Sequence, residues 1–470
     1  MNFQRIRTLG AAHAAAYFAA VCASAMFLFR TAVQNRPVGA PDFFLLDGLS
    51  AFFIFVISIV CFAAALYSAG YMSRDVQEGR ISPRKAAMYY VLFDLFCLSM
   101  FVVVAVNNLG LLWAAIEMTT LVSAFLVGFY RTKQSIEAAW KYIIICSVGI
   151  VIALMGTIFF SYAMSCSGGS RSLNWTDLYA HAGSLDRNLI RLAFIFVLVG
   201  YGTKAGLAPM HTWLPDAHSQ AVAPVSALLS AVLLKTALYA IIRFGLVVTR
   251  CLGGTDYFSR LMTAFGLVSL AIAAALLLVQ KDLKRLLAYS SIEHVGIICV
   301  GLGIGGPLAM LGVLLHIFNH AVTKSLMFFS AGTIVNRYGS HNMKMIRGVM
   351  QSMPFTGAVF IAGACALIGF PPFSIFMSEL LIIIAGFARG AYALTGVFMF
   401  FMALAFSAII YHVCGMVFGK KPHTMPLTDE PLSTKAAYVM LMVLIAGLGI
   451  AAPWGIREGL AAASHILTGI

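Results

Sequence analysis

Several ionisable side chains stand inside long apolar stretches of this sequence, at positions that a lipid bilayer would surround. They are Glu117, Lys204, Lys235, His316, His320, Lys324 and Glu379. An ionisable group near the bilayer centre costs at least about 2.5–3.5 kcal/mol. One such residue is explained by a packing ion pair or by a hydrogen-bonded core histidine. Acids and bases on several separate segments instead favour a relay that carries protons.

The residue types suit proton transfer. In general, burial lowers the pKa of a lysine and a nearby carboxylate raises it, so a lysine between the two influences can take up or release a proton when its partner's charge moves. Histidine titrates near neutral pH and is suited to shuttling protons. His316, His320 and Lys324 follow one another at i, i+4 and i+8, which places them on one face of a helix.

Two of the apolar segments that hold these residues contain prolines. Residues 189–217 include Pro209 and Pro215, and residues 354–388 include Pro371 and Pro372. A straight helix over 354–388 would be about 52 Å long, well beyond a bilayer core of about 30 Å. Proline removes a backbone donor and breaks a helix, so each segment is predicted to be discontinuous. Broken helices at membrane depth are typical of ion paths.

Three further histidines are secondary candidates for the same path. They are His211, His218 and His294. Other ionisable residues are interpreted as structural: His13, Asp94 and His412 have no evident partner in the sequence, and the basic group Lys281, Lys284 and Arg285 is expected to anchor a helix end at the membrane interface.

The whole chain reads as one all-α, polytopic membrane domain, residues 1–470. It is 61% hydrophobic and only 10% charged, and its mean hydropathy is +0.93, whereas about a quarter of the residues in a soluble domain are charged. A crossing helix needs about 20 apolar residues. About thirteen such segments are predicted, near 9–30, 45–72, 86–106, 108–129, 139–164, 189–217, 221–248, 260–280, 285–303, 308–336, 354–388, 391–418 and 435–452.

The distribution of basic residues predicts the orientation. Alternate loops are enriched in lysine and arginine, among them Arg74, Arg84, Arg131, Lys284 and Arg347. By the positive-inside rule these loops face the cytoplasm, with the N-terminus inside and the C-terminus outside a bacterial-type inner membrane. Ala23-Ser24-Ala25 after a basic start also resembles a signal-peptide cleavage site, but this topology favours a retained first helix.

Other classes of function are disfavoured. The net charge of +14 lies in short loops between apolar segments, so we expect no nucleic-acid binding. The nine cysteines occur singly and form no CxxC pair, so no metal, iron–sulfur or other redox centre is expected in the chain. The GxGxxG pattern of Gly301, Gly303 and Gly306 joins two apolar helices and is interpreted as a membrane turn.

Five sequence elements carry a resemblance to a known family. They are PMHTWLPDAHSQAVAPVSALLS at 209–230, DGLSAFF at 47–53, KDLKRLLAYSSIEHVG at 281–296, HIFNHAVTKSLMFFSAG at 316–332 and GFPPFSIFMSELL at 369–381. From about residue 45 to 420 the chain resembles the antiporter-like membrane subunits of complex I, group 4 membrane-bound hydrogenases and multisubunit cation/proton antiporters. The last element is most similar to the hydrogenase-4 branch.

The resemblance implies an architecture. It has N-terminal helices over 1–106, two inverted half-channel bundles over 107–250 and 260–418, each with a broken helix, and a C-terminal helix over 435–452. Relatives commonly have fourteen core helices, and this chain is expected to lack one before DGLS. It is also expected to lack the long C-terminal extension of the largest paralogue type.

The resemblance also assigns roles to residues. It implies that Glu117 pairs with Lys204, that Lys235 connects the bundles, and that His316, His320 and Lys324 form a central relay. Glu379 takes the exit position on the second broken helix, where many relatives have lysine.

The predicted function is proton translocation by one membrane subunit of a redox-driven complex, of the hydrogenase-4/formate hydrogenlyase type or the NADH:quinone oxidoreductase type. Its partners would be other membrane subunits and, through them, peripheral subunits that carry Fe–S and NiFe centres or oxidise NADH. The chain itself would hold no cofactor and no catalytic centre. A Na⁺/H⁺ antiporter component, a quinone-binding component and a membrane scaffold remain alternatives.

Overall fold

A computed structural model describes residues 3–34, 43–168, 172–420, 430–450 and 454–468. Within these ranges the chain is helical, with three isolated β-bridges and no extended strand. Twelve of the described helices are long and apolar enough to cross a membrane. Two shorter apolar helices, Pro354–Leu367 and Ser374–Ala388, are the halves of the second broken segment. The predicted all-α polytopic fold is confirmed.

Three long helices open the chain: α1 (Phe3–Gln34), α2 (Gly48–Gln77) and α3 (Pro83–Ala105). Asp47 caps α2 by accepting a hydrogen bond from the Ser50 backbone N–H. Ser82 caps α3 in the same way, and Pro83 stands at the first helical position, where its missing N–H costs nothing.

The first broken segment lies among seven helices. They are α4 (Leu109–Val127), α5 (Lys133–Cys166), α6 (Trp175–Ala180), α7 (Arg187–Ala205), α8 (Trp213–Gln220), α9 (Ala223–Leu228) and α10 (Leu234–Leu252). Helix α7 ends at Gly206, whose φ of +78° suits glycine. The chain then passes Pro209 before α8 begins. Helices α9 and α10 form one rod through a π-helical turn, Leu229–Leu233.

The second broken segment lies among another seven helices. They are α11 (Asp256–Val279), α12 (Leu283–Ile304), α13 (Gly306–Tyr338), α14 (Val349–Ser352), α15 (Pro354–Leu367), α16 (Ser374–Ala388) and α17 (Tyr392–Val417). The break contains Pro371 and Pro372, as predicted. Gly305 and Gly306 have φ of +72° and +81° and form the turn between α12 and α13.

Two helices close the chain, α18 (Leu432–Ile450) and α19 (Trp454–Thr468). The last helix predicted from the sequence ends at residue 452, so α19 was missed; residues 451–453 lie outside the described ranges. Helix α19 packs on α1, α2 and α13, with Gly459 against Leu28 and Ala462 against Gly48. It escaped prediction because Arg457, Glu458 and its alanines keep it below the hydrophobicity of a crossing helix.

The rod α9–α10 and helices α12, α2 and α13 form the interior of the protein. In the most apolar part of the rod every residue is buried inside the protein, whereas in the most apolar part of α17 only 28% of the residues are buried. Helices α10, α12 and α13 carry Lys235, His294, His316, His320 and Lys324. These ionisable groups are therefore surrounded by protein rather than by lipid.

Candidate functional site

Lys204 lies at the end of α7, beside the first helix break, and is fully buried. Its Nζ donates hydrogen bonds to the Tyr142 hydroxyl at 2.6 Å and to Thr120 Oγ1 at 2.8 Å. The ammonium also faces the rings of Tyr142 and Trp213, 4.7 and 6.0 Å from their centroids. The ammonium is thus held by neutral hydroxyls and aromatic faces, and no carboxylate of the described residues forms an ion pair with it.

Glu117, which the family resemblance pairs with Lys204, makes no direct contact with the lysine ammonium. Glu117 Oε1 accepts a hydrogen bond from Ser147 Oγ at 2.8 Å, and its buried Oε2 has no partner among the described residues. No Glu117 oxygen comes within 4.0 Å of the lysine ammonium. Thr120, one turn further along α4, occupies the position next to Lys204. A proton passing between the two must cross intervening hydroxyls or water.

Lys235 makes the direct contact with the histidines. Its Nζ lies 2.6 Å from His320 Nδ1 and donates to the Ser230 carbonyl at 2.6 Å. Ser230 belongs to the π-helical turn before α10, a deviation that often occurs at functional sites. Both Lys235 and His320 are buried, and His320 Nε2 has no partner in the part of the chain that the structure describes.

His294 on α12 joins the two predicted histidines of α13. The rings of His316 and His320 are 6.3 Å apart, whereas His294 lies 4.6 Å from His320 and 5.1 Å from His316 between centroids. His294 Nδ1 is 3.0 Å from His316 Nε2. This secondary candidate is therefore the centre of the cluster. The one-face spacing on α13 was correct but could not show which helix filled the gap.

The hydrogen bonds of His316 define its neutral tautomer. Ser378 donates its proton to the Ile375 carbonyl at 2.7 Å, so it accepts from His316 Nδ1 at 3.0 Å. His316 Nε2 is then an acceptor, and His294 Nδ1 carries the hydrogen of the bond between them. His294 Nε2 is left buried without a partner in the described ranges. A proton added at one end of this chain can be released at the other by a change of tautomer.

Glu379 on α16 closes the cluster at the second helix break. Its carboxylate packs against Gly369, where an added Cβ would clash with Oε2 and where φ is +68°. One ligand atom each of His294, His316 and Glu379 lies within 4.8 Å of the others. Imidazole and carboxylate donors at this spacing could hold a transition-metal ion.

Lys324 is hydrogen-bonded to α12 and not to the three histidines. Its Nζ donates to the Leu287 carbonyl at 2.8 Å and to Ser290 Oγ, both on α12. Glu293, one residue before His294, is also buried, and its Oε2 has no partner among the residues described. The SSIEHVG stretch was recognised for its family resemblance, but this glutamate within it was overlooked. Its apolar surroundings on α12 were the signal that could have revealed it.

His218 lies between Trp213, which also faces Lys204, and Phe328, which follows Lys324 by one turn of α13. These two surroundings are called the Lys204 side and the Lys324 side. His218 is fully buried, and within the described structure neither ring nitrogen is hydrogen-bonded. Its ring lies 6.3 Å from Trp213 and 5.6 Å from Phe328. His211 is also largely buried, in the first helix break beside Pro209, and its Nδ1 likewise lacks a partner there.

A polar cavity of about 190 Å³ lies at the end of α8. Asp216 bonds there with Lys141 at 3.3 Å and with Arg285. The predicted role of Lys284 as an interfacial anchor is wrong: it is 5% exposed and donates to the Ala221 carbonyl at 2.8 Å. It lies in the interior because its side chain satisfies the backbone between α8 and α9.

A buried ion pair connects the N-terminal helices to α10. Arg243 donates to both oxygens of Asp47, at 2.8 and 2.6 Å, and to the Tyr239 hydroxyl at 2.9 Å. Burial raises the pKa of Asp47, but the Arg243 guanidinium and the Ser50 backbone N–H outweigh it and hold that pKa below its usual value. This ion pair, the Asp47–Arg243 clamp, fixes the start of α2 on α10.

The chain matches two family models. Residues 106–407 match "NADH:quinone oxidoreductase/Mrp antiporter, TM", and residues 42–80 match "NADH-Ubiquinone oxidoreductase (complex I), chain 5 N-terminus". Relatives include the Hydrogenase-4 component F homolog of Methylacidiphilum infernorum, 41% identical over 76% of this chain and 75% of that protein. NADH-quinone oxidoreductase subunit N of Desulforudis audaxviator is 32% identical over 82% and 76%.

Solved structures share the fold. An archaeal respiratory membrane complex, the membrane-bound sulfane sulfur reductase, contains a chain that superposes with a TM-score of 0.86 at 23% identity, covering 99% of this chain and 95% of that one. A chain of the Mrp complex from a Dietzia species gives a TM-score of 0.83 at 20% identity, covering 99% and 92%.

Proposed function

Because this chain belongs to the NADH:quinone oxidoreductase/Mrp antiporter family of membrane subunits, we propose that it carries protons across the bilayer for a redox-driven complex. It is a multi-pass membrane protein of the antiporter-like type found in complex I, hydrogenase-4 and Mrp assemblies. The similarity to a hydrogenase-4 component supports a hydrogenase-type or NADH-oxidising partner with Fe–S or NiFe centres. The chain's own part is proton movement, without a resident cofactor.

One observation supports this proposal above the others. Lys235, His320, His294 and His316 form an unbroken series of contacts inside the protein, from the rod α9–α10 to Ser378 and Glu379 on α16. Each member can accept and release a proton, and the series ends at the second helix break. A packing role does not need three neighbouring imidazoles with two buried nitrogens that lack partners in the described structure.

We place the two half-channels in the bundles 107–250 and 260–418. A proton enters from the cytoplasmic side near Lys204 or Lys235, moves along the histidines and leaves near Glu379. The polar cavity at Asp216 supports entry at the end of α8, and the position of His218 supports a connection between the Lys204 and Lys324 sides. The N-terminus lies in the cytoplasm and the C-terminus outside, in an inner membrane.

A double-mutant cycle tests this proposal. Lys235→Ala and His320→Ala are made singly and together in the native complex, which is reconstituted in vesicles with an internal pH dye. If the two act in series, each single change lowers proton uptake at least about tenfold and the double change adds little, because either one breaks the route. Full uptake by both single variants would contradict the proposal.

A component of a Na⁺/H⁺ or K⁺/H⁺ exchanger is the second candidate. It is favoured by the Mrp-complex neighbour and by a relative from Rhizobium meliloti that is described as part of a probable K⁺/H⁺ antiporter, 32% identical over 71% of this chain and 32% of that protein. Ion dependence measured in the same vesicles distinguishes the exchanger from the redox-driven pump. Proton movement that requires Na⁺ or K⁺ on the opposite side would identify an exchanger, whereas a redox-driven pump works without either gradient.

A further inference from the structure

A carboxylate lies on the outer surface of the protein at membrane depth. Asp94 stands midway between Pro83 and Ala105 on α3, and its side chain is 54% exposed. Its neighbours on that face are apolar and also exposed: Val91 59%, Leu95 47% and Leu98 58%. The hydrogen bonds of Asp94 in the described structure go to α1 and not to the residues of the proposed proton path.

The carboxylate is held in place from one side only. His13 Nε2 lies 2.6 Å from Asp94 Oδ1, and the Tyr17 hydroxyl donates to the same oxygen at 3.0 Å. The His13 ring is fixed by edge contacts with Tyr17, Tyr90 and Phe93. The other oxygen, Oδ2, accepts no hydrogen bond from any described residue. His13 and Asp94, whose partners were not evident in the sequence, thus form a pair across α1 and α3.

Lipid is a poor neighbour for this group. An aspartate at mid-membrane is expensive in hydrocarbon, and such residues almost always face protein or water. A carboxylate accepts several hydrogen bonds, and a bond from a cation is the strongest it can receive in a low-dielectric setting. The half-satisfied Asp94 thus has the geometry of an incomplete interface site.

We propose that the surface formed by Val91, Asp94, Leu95 and Leu98, the Asp94 face, docks a transmembrane helix of another membrane subunit. That helix places a lysine or arginine against Asp94 Oδ2 and apolar side chains against the three neighbours. The inference rests on the proposed role as one component of a membrane complex, and it specifies where a partner attaches and by what chemistry.

Photocrosslinking tests the Asp94 face. Benzoylphenylalanine is placed at Val91 in the otherwise native complex, and the products are identified by mass spectrometry after illumination. We expect a crosslink to a transmembrane peptide of another subunit that contains a basic residue. A product with lipid alone, or with a peptide lacking any basic residue, would overturn the proposal.

A charge variant gives the second readout. Asp94→Leu should lower the yield of the Val91 crosslink at least about tenfold, because a charge-assisted hydrogen bond is lost. Asp94→Glu should largely restore it. The amount of folded, full-length chain recovered from the membrane should not fall in Asp94→Leu, which separates a docking role from a folding role. An unchanged crosslink in Asp94→Leu would overturn the role of the charge.

The outcomes separate this inference from the proposed function. If the wild-type complex pumps protons but Val91 captures lipid alone, the Asp94 face is wrong and the proton pathway stands. If Val91 captures a neighbouring subunit while Lys235→Ala and His320→Ala pump normally, the docking surface stands and the pathway fails.

Discussion

At the scale of single residues, the protein holds three buried lysines by giving each a small set of neutral partners. Lys204 is held by two hydroxyls, Lys235 by a carbonyl and an imidazole, and Lys324 by a carbonyl and a hydroxyl. None of these three lysines makes an ion pair within 4.0 Å in the described structure. Strong fixed pairs would trap a proton, whereas weaker partners leave each lysine able to change its charge.

His294 should be essential for transport, since it joins His316 to His320. Replacement of His294 by alanine removes the only imidazole seen between those two rings in the described structure. We expect proton uptake in reconstituted vesicles to fall at least about tenfold, with normal amounts of assembled complex.

The matched control is His412→Ala. His412 lies outside the cluster, with a ring contact to Tyr411. It should leave uptake unchanged. Equal losses in both variants would indicate a general effect on folding and would contradict the relay.

Glycine should be needed at position 369 for two reasons: the backbone has a positive φ there, and the Glu379 carboxylate occupies the space that a side chain would fill. Alanine at Gly369 must adopt φ of +68° and also displaces the Glu379 carboxylate. Gly390→Ala is the matched control, because Gly390 has φ of +72° with open space around it. Both changes should cost about 1–2 kcal/mol of stability from backbone strain.

Proton uptake distinguishes the two glycine variants. Uptake should be lost in Gly369→Ala and kept in Gly390→Ala, when each is corrected for the amount of folded complex. A Gly369→Ala variant that pumps normally would show that the position of Glu379 does not matter.

At the scale of helices, interruptions and clamps position the chemistry. The two breaks end α7 next to Lys204 and place Glu379 over Gly369, and the π-helical turn precedes Lys235. These features were predictable where proline marks them, at Pro209, Pro371 and Pro372. The π-helical turn was not predictable, because Leu229–Leu233 is a plain apolar sequence whose extra residue is accommodated by tertiary packing.

The Asp47–Arg243 clamp should be a major source of stability between the helices it joins. Arg243→Met leaves a buried carboxylate unpaired, and loss of one partner of a buried pair typically costs about 3–5 kcal/mol. Thermal unfolding in detergent should show the loss. Arg250→Met, at the end of the same helix, removes only a stacking contact with Tyr179 and should cost far less.

The same clamp predicts an acid dependence. The folded protein holds the pKa of Asp47 below its unfolded value of about 3.9. Its stabilisation is therefore complete above that value and is lost as the pH falls through the lower, folded pKa. Asp47→Asn should remove this acid-dependent part of the unfolding free energy. A variant with the same acid dependence as the wild type would contradict the assignment.

At the scale of the whole molecule, a small set of ionisable groups lies inside the most buried helices, apart from the many charged residues of the loops and helix ends. Composition, proline positions and apolar lengths were enough to predict the all-α membrane fold and to single out ionisable residues that prove to be buried, such as Lys204, Lys235 and His316. What they could not give was the packing between helices: His294 between His316 and His320, Thr120 in place of Glu117, and the pair of His13 with Asp94. Contacts between distant helices leave no periodic signal in one sequence.

The most direct test of the central claim is the number of protons moved per electron in the reconstituted native complex with Lys204→Ala. Electron transfer should continue in the partner subunits while proton translocation through this chain is abolished and the complex stays assembled. Lys133→Ala, at the exposed start of α5, should behave as the wild type. A Lys204→Ala complex that moves the wild-type number of protons per electron would contradict the account.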